Sequence, residues 1–486
     1  MKKTFLLSFI LLFLLSSLVG CAQKMPGDAK LTDVKYTTVT RAYDWGASID
    51  KVILCFDTQI DPASFDASTF IVKSNRLCAD YNKAKAKISK KAYEHIVERE
   101  ITDVYISDIE GNQSDTGNCI SIEMSVGPAI IEASPYNYNY ETGFTEIIDT
   151  SYEISLASDK SIQSADGEKL FFYTTGAEEF AGDIKIIADD FVNNQKFSYS
   201  GINMTYAYYQ PEASADEGSV PIIIWLHGGG EGGTETTLVL NSNEVVNLAT
   251  EPYQAYFGEN GAYVLAPQVP TMWMDIDGTG TFNYWVYNSH GASYYTEALM
   301  ALIDEFVNTH SDIDTNRIYL GGCSSGGYMT VNMLMEYPDY FAAAFPVCPA
   351  YWKPWMSNEK IEAIKDIPIW MTHALTDGTV PIAQGEIDED AELYKVKYAS
   401  DGSPFLTDEY SNAFYRKLID AGAENVYYSR FDSVVDTSGL YTNSDGTPYE
   451  YWGHYSWIYV FNNECIETID GVEITIFEWL GQQRKD

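Results

Sequence analysis

Residues 317–327 read Arg-Ile-Tyr-Leu-Gly-Gly-Cys-Ser-Ser-Gly-Gly, and this run decides the fold. Residues 317–320 have the composition of a strand, a G-x-S-x-G core follows over Gly322, Ser324 and Gly326, and helix-length sequence begins at Gly327. A serine on so sharp a strand-to-helix turn leaves no room for side chains two residues away, and Gly322 and Gly326 supply that room. The turn also sets the N–H of Ser325 beside a helix N-terminus, where developing negative charge is stabilised. A Gly/Ser-rich loop without chemistry can share the short pattern. The strand before it and the helix behind it favour a nucleophile elbow with Ser324 at its tip.

Outward from this run, short apolar stretches at 220–226 (VPIIIWL), 263–266, 341–347, 367–371 and 426–431 alternate with helix-length segments at 294–307, 327–337 and 407–421. Continuous apolar runs of this kind belong to strands covered on both faces, so the alternation predicts an α/β fold with a mostly parallel sheet, and the elbow within it makes this an α/β-hydrolase domain. The strand ending at Leu226 runs directly into His227-Gly-Gly-Gly-Glu-Gly-Gly233. Glycines at the carboxyl end of a central strand let backbone N–H groups approach a ligand closely. Gly229 is the first choice for a second oxyanion donor beside Ser325, and Gly230 the second. A phosphate loop would need a Gly-Lys-Ser/Thr ending, which is missing here.

In such a domain the acid and the base follow the nucleophile in the order Ser, Asp/Glu, His. Of six histidines, His95, His227, His290 and His310 precede Ser324, and His373 lies in or at the end of a strand, which leaves His454 in the aromatic loop at 451–457. Asp377, in a turn after the 367–371 strand closed by Gly378 and Val380-Pro381, suits the acid. Asp388, Glu389 and Asp390 form a charge run and read as a solvated face.

Ahead of this domain, alternating or β-branched runs at 33–40, 51–57, 69–74, 101–108, 119–126, 145–158 and 170–175 are separated by Gly/Asn/Asp/Ser clusters and predict a β-sandwich. Residues 81–99, rich in Lys, Ala and Glu, read as a helical insertion on its outside. The expected organisation is a leader over 1–20, a tether over 21–30, a sandwich over 31–178 and the hydrolase domain over 186–486.

The 486 residues hold 30 Lys+Arg against 70 Asp+Glu, a net charge of −40 that repels phosphate backbones and argues against nucleic acid as a partner. The apolar run at 5–15, behind Lys2 and Lys3, is too short to span a bilayer and reads as an export signal. Leu18-Val19-Gly20-Cys21 resembles the lipobox of bacterial lipoproteins, which makes Cys21 the site of lipid attachment and predicts an exported protein tethered to a cell membrane and facing away from the cytoplasm. The remaining cysteines, Cys55, Cys78, Cys119, Cys323, Cys348 and Cys465, show no metal-ligand spacing, and their connectivity is not readable from sequence. No metal or cofactor is expected, and the oligomeric state is left open.

Together, the glycine run at 227–232, Ala266-Pro267-Gln268 before Trp273, the Gly322–Met329 elbow, His373-x3-Asp377-x2-Val380-Pro381 and His454-x2-Trp457 resemble secreted esterases related to polyhydroxybutyrate depolymerases, feruloyl esterases and acetyl xylan esterases. Asp44-Trp45-Gly46 before an apolar strand resembles the immunoglobulin-like domain that precedes the hydrolase in esterase A-type proteins. The resemblance implies carboxylic-ester hydrolysis through Ser324, Asp377 and His454, with acetyl or feruloyl esters of plant polysaccharide as the substrate class. Trp273, Trp285, Trp352 and Trp355 follow strands whose ends should lie near Ser324. Their rings either stack on a sugar or aromatic group or pack the loops. Two rivals are a serine peptidase of the prolyl oligopeptidase kind and a non-catalytic surface lipoprotein that binds polysaccharide. The first domain is too short for a propeller and shows no repeat, and a mere binder has no need of the three residues in that order.

Overall fold

The computed structural model describes residues 25, 27–82, 87–139, 142–211, 216–280, 290–388 and 393–485, with side chains described for all of these except 78–82 and 87–94. The leader, Cys21 and Trp285 lie outside the described residues.

The first part is built on two packed sheets, with a further small three-stranded sheet of Lys30–Leu31, Lys169–Phe171 and Ile162–Gln163. Strands β1 (Lys35–Tyr43), β2 (Gly46–Cys55), β3 (Phe70–Asn82), β4 (Lys87–Glu98), β5 (Ile101–Ser107), β6 (Cys119–Met124), β7 (Tyr136–Asn139), β8 (Phe144–Ile147), β9 (Thr150–Leu156) and β10 (Phe180–Lys185) follow in chain order. One sheet has the order β10-β1-β2-β6-β5 and the other β9-β3-β4, while β7 and β8 form a separate hairpin. Inward residues of both sheets, among them Tyr36, Val52, Leu54 and Ile122 from one and Val72, Tyr152 and Ile154 from the other, make a single core. Cys55 and Cys119, directly opposite in the β2–β6 register, are joined by a disulfide. Cys323, Cys348 and Cys465 are free and buried.

The helix expected over residues 81–99 is replaced by strand: β3 and β4 form a long antiparallel hairpin, pairing Lys73 with Glu98 through Asn82 with Lys87. Ala, Lys and Glu are good helix formers, but that preference is worth under about 1 kcal/mol per residue and strand pairing overrides it.

The second part carries β11 (Val192–Tyr199), β12 (Ile202–Tyr209), β13 (Val220–Leu226), β14 (Tyr263–Gln268), β15 (Ile313–Cys323), β16 (Ala343–Val347), β17 (Ile369–Ala374) and β18 (Val426–Phe431) in one sheet of order β11-β12-β14-β13-β15-β16-β17-β18. The pairs β11–β12 and β12–β14 are antiparallel, and those from β14 through β18 are parallel. Helices α1 (Thr236–Ser242), α2 (Thr296–Thr309), α3 (Ser325–Glu336), α4 (Tyr410–Asp420) and α5 (Trp457–Phe461) flank it. Strand β13 shows why its sequence is apolar throughout. Ile222, Ile224 and Leu226 join one hydrophobic cluster, while Ile223 and Trp225 join the cluster on the other face. Burying each such side chain is worth about 1.5–3 kcal/mol, and neither face has a solvent side on which a polar residue would be free of penalty. Pro221 is tolerated because the β13–β15 register shifts between Val220 and Ile222, where the N–H that proline lacks is not needed by the ladder. Among the described residues, no helix is long and apolar enough to cross a membrane.

Candidate active site

Strand β15 delivers Ser324 to the turn before α3 with φ 55° and ψ −113°, a backbone conformation rarely taken by a residue with a Cβ. The flanking glycines are required by close approach: a Cβ on Gly326 would lie 1.9 Å from Leu226 O, and one on Gly322 2.7 Å from the Gly326 carbonyl carbon. Ser324 N–H donates to Val347 O at 3.0 Å, which fixes the elbow to the neighbouring strand. Ser325 is the first residue of α3, where N–H groups have no acceptor within the helix. Its N–H is therefore available beside Ser324, while its buried Oγ has no hydrogen-bond partner.

Asp377 lies just beyond β17 and is fully buried. Its Oδ1 accepts from the N–H groups of Thr379 and Val380, both at 2.8 Å, and its Oδ2 faces His454 Nδ1 at 2.8 Å and His373 Nε2 at 3.0 Å. Burial pushes this carboxyl up, but the His454 charge and the hydrogen bonds from both imidazoles outweigh it and hold Asp377 well below the usual carboxylate range. Burial likewise works against charge on His454. The Asp377 carboxylate dominates, with a smaller contribution from Cys348, and the imidazole titrates well above its ordinary range. The link from this pair to the elbow runs through β16: Cys348, next to the Val347 that binds Ser324, donates its thiol to His454 O at 3.4 Å. Ser324, Asp377 and His454 are thus brought to one end of the sheet by β15, β17 and the loop before α5.

Two histidines that the chain order sets aside have supporting places. His373 Nε2 lies 3.0 Å from both Asp377 Oδ2 and Val380 O, and its Nδ1 lies 2.8 Å from Ser411 Oγ. One neutral tautomer, with the proton on Nε2, satisfies all three contacts and positions Asp377. His227 Nδ1 lies 2.6 Å from Gly228 O, and its Nε2 accepts from Val269 N–H at 3.3 Å. Burial lowers its pKa to about 4, so it stays neutral and fixes the start of the glycine loop. A histidine at a buried strand end is the available sequence signal for both.

The loop itself makes a short 3-10 turn over Gly229–Glu231. A Cβ on Gly229 would meet Met272 Cε at 2.9 Å, and one on Gly230 would meet Thr145 Oγ1 at 3.2 Å and the Tyr138 ring at 3.4 Å. The hairpin of β7 and β8 therefore lies directly on the glycine loop. The side chain of Glu231 is buried with Oε2 unpartnered, and burial raises its pKa to about 7.

The tryptophans divide. Trp273 is wholly buried against the His227 and Tyr295 rings, at 5.1 and 6.2 Å, so it packs the loop and is not a substrate platform. Trp355 is likewise buried, edge-on to Tyr328 and Tyr351, and is also corrected from platform to packing. A ring with no open face cannot stack on a ligand. Half-buried Trp352 packs against Trp355 at 5.9 Å. Trp452, which sequence reasoning misses, donates from Nε1 to Thr379 Oγ1 at 3.0 Å, beside the acid turn.

Residues 35–170 match the family of esterase immunoglobulin-like N-terminal domains, and residues 212–398 match the phospholipase/carboxylesterase family. The chain joins an esterase immunoglobulin-like domain to a carboxylesterase domain. A poly(3-hydroxybutyrate) depolymerase of Ralstonia pickettii is 27% identical over 161 residues, covering 30% of this chain and 29% of the relative, so the match spans under a third of that protein. The fold is shared over 93% of this chain with a crystal structure of a thermostable esterase, of which it covers 100%, at TM-score 0.67 and 24% identity.

Proposed function

We propose that this carboxylesterase-domain protein hydrolyses carboxylic esters by a serine mechanism. His454 takes the Ser324 proton, Ser324 attacks the ester carbonyl, Asp377 orients the imidazole, and the N–H groups of Gly229 and Ser325 hold the oxyanion until water clears the acyl-enzyme. The observation that carries this reading is the strained Ser324 elbow beside a buried Asp377–His454 pair whose Nδ1–Oδ2 distance is 2.8 Å. No step in it calls for a metal or cofactor. The substrate class we favour is acetyl or feruloyl esters of plant polysaccharide, with Trp352 as the aromatic ring left at the surface of the loop after β16. Chromogenic esters of rising chain length, acetylated and feruloylated xylan fragments and a proline-containing peptide amide, tested on one preparation, decide the matter. Turnover of the amide above every ester would replace the esterase with a peptidase.

The base must be neutral to accept a proton, and the Asp377 carboxylate favours its charged form. The acid limb of kcat/KM is therefore expected to rise with pH to a midpoint above the ordinary imidazole value of about 6.5. Asp377→Asn removes that charge and should bring the midpoint down; an unchanged midpoint would remove His454 from the role of base.

We further propose that the chain is exported and lipid-anchored at Cys21, with the 31–178 and 186–486 segments outside the cytoplasm. The Cys55–Cys119 disulfide supports an oxidising compartment. Cys21→Ala is expected to release the protein from washed membranes and to abolish palmitate labelling, whereas labelling that persists would refute the anchor.

A further inference from the structure

A hairpin of the first domain bears on the loop that carries the assigned oxyanion donor. Residues 136–139 read Tyr-Asn-Tyr-Asn, and the strand period of two puts Tyr136 and Tyr138 on one face of β7. Antiparallel pairing sets Tyr138 opposite Thr145 and Tyr136 opposite Ile147 of β8, which share that face. The face meets the carboxylesterase domain at two points. Tyr136 Oη donates to Thr237 O of α1 at 3.2 Å, and the Tyr138 ring and Thr145 Oγ1 abut Gly230. The root of the hairpin is fixed by the buried Arg76 of β3, whose guanidinium donates to Ile131 O at 2.7 Å and to Tyr136 O at 2.9 Å. Its tip is seated by Phe144, so close to Gly232 that a Cβ there would fall 2.7 Å from the ring.

The glycine loop leans in turn on the nucleophile elbow: a Cβ on Gly228 would lie 3.4 Å from Sγ of Cys323, the residue before Ser324. Contact therefore runs from the elbow through Gly228 and Gly229 to Gly230 and Tyr138. The ring atoms nearest the loop are Cε2 and Cδ2, along one edge, at 3.4 and 3.7 Å from a Cβ placed on Gly230. Tyr138 keeps 41% of its surface exposed, whereas Trp273 and Trp355 are buried. A tyrosine on a braced strand has its ring already in place, so it offers a ligand contact area at little cost in conformational entropy.

Resting on the serine-esterase reading, we propose that Tyr138 is a specificity residue supplied to the active site by the immunoglobulin-like domain: a platform on which a ring borne by the ester stacks while the carbonyl occupies the oxyanion hole. Tyr136, Phe144 and Arg76 already hold the hairpin in place, so the exposed Tyr138 ring is not needed as a fastening. A tyrosine face takes an aromatic ring in offset or edge-on stacking, and it takes the C–H side of a pyranose in the same way. An aromatic acyl group presents the first and an acylated sugar the second. Both carry a ring within a few bonds of the ester carbonyl, and Tyr138 stands beside the residue that follows the oxyanion donor Gly229.

The test follows acid release from ethyl acetate, which carries no ring, from ethyl ferulate, with an aromatic acyl group, and from acetylated xylobiose, with a pyranose alcohol. The quantity read is kcat/KM for each ring-bearing ester divided by that for ethyl acetate. In Tyr138→Ala this ratio is expected to fall about tenfold for the ester whose ring the platform takes, through a higher KM with kcat little changed. Tyr138→Phe keeps the ring and should hold the ratio within about twofold of wild type. Tyr138→Leu removes the ring but keeps apolar bulk, and it reads the same ratio should the alanine variant not fold. A fall for ethyl ferulate assigns the platform to the acyl group, and a fall for acetylated xylobiose assigns it to the alcohol. Unchanged ratios for both, an equal loss of kcat/KM on every ester, or a loss in Tyr138→Phe as large as in Tyr138→Ala overturns the platform; the equal loss would leave the hairpin as a brace for the glycine loop. If the wild type turns over no ester, the esterase reading fails and the platform falls with it, whereas turnover of ethyl acetate alone, or with unchanged ratios, defeats the platform only.

Discussion

Ser324→Ala is expected to fold normally and to lose turnover of every ester by about 10⁶-fold, the loss seen when the nucleophile of a comparable triad is removed. The change deletes one oxygen from a half-buried position, and alanine takes the φ of 55° at much the same cost as serine. Ser325→Ala keeps the backbone N–H assigned to the oxyanion and removes only a buried hydroxyl with no partner. It should cost far less activity than Ser324→Ala. Initial rates on a chromogenic ester, with melting curves to confirm folding, separate the two. Retention of most activity in Ser324→Ala, or an inactive but folded Ser325→Ala, would transfer the nucleophile elsewhere.

Asp377→Asn should lower kcat by about 10⁴-fold. The two backbone N–H groups on Oδ1 would keep the amide oxygen on their side, which turns the new NH₂ toward His454 Nδ1 and His373 Nε2. To accept from that amide, His454 must carry its proton on Nε2 instead, the nitrogen needed for the serine. His373 then meets a donor where it had an acceptor, so the loss of activity should come with a lower melting temperature. A drop below about tenfold with an unchanged melting temperature would show that Asp377 neither orients the base nor anchors His373.

What the sequence discloses depends on whether the physical constraint is local. The strand Val220–Leu226 has the boundaries expected from its apolar run alone, because a strand covered on both faces ends where its apolar residues end. Gly322 and Gly326 are legible for the same reason: the crowding they relieve arises within the turn. Chain order sets His373 and His227 aside as bases, but it says nothing of their roles as supports, which depend on Ser411, Val380 and Val269, residues that only the folded sheet brings near. Trp273 misleads because an aromatic residue after a strand has the same local signature whether its ring faces a ligand or a buried imidazole. The Lys-rich hairpin of β3 and β4 misleads in the opposite sense, since its composition states a preference that pairing overrules. The bond between Cys55 and Cys119 follows from strand register, which spacing does not encode.

The two-faced burial of strand β13 has a consequence for the unfinished chain. Its neighbours in the sheet begin only at Tyr263 and Ile313, so while the polypeptide is being made, Ile222-Ile-Ile-Trp-Leu226 has nothing of its own to pair with. A short apolar, β-branched, uncharged segment in that position stacks readily with copies of itself. Pro221, harmless in the finished sheet because the register shifts there, cannot donate a backbone hydrogen bond and so interrupts any such stack at its first rung. The same residue that the native ladder merely tolerates is therefore expected to keep the nascent segment from stacking on its copies.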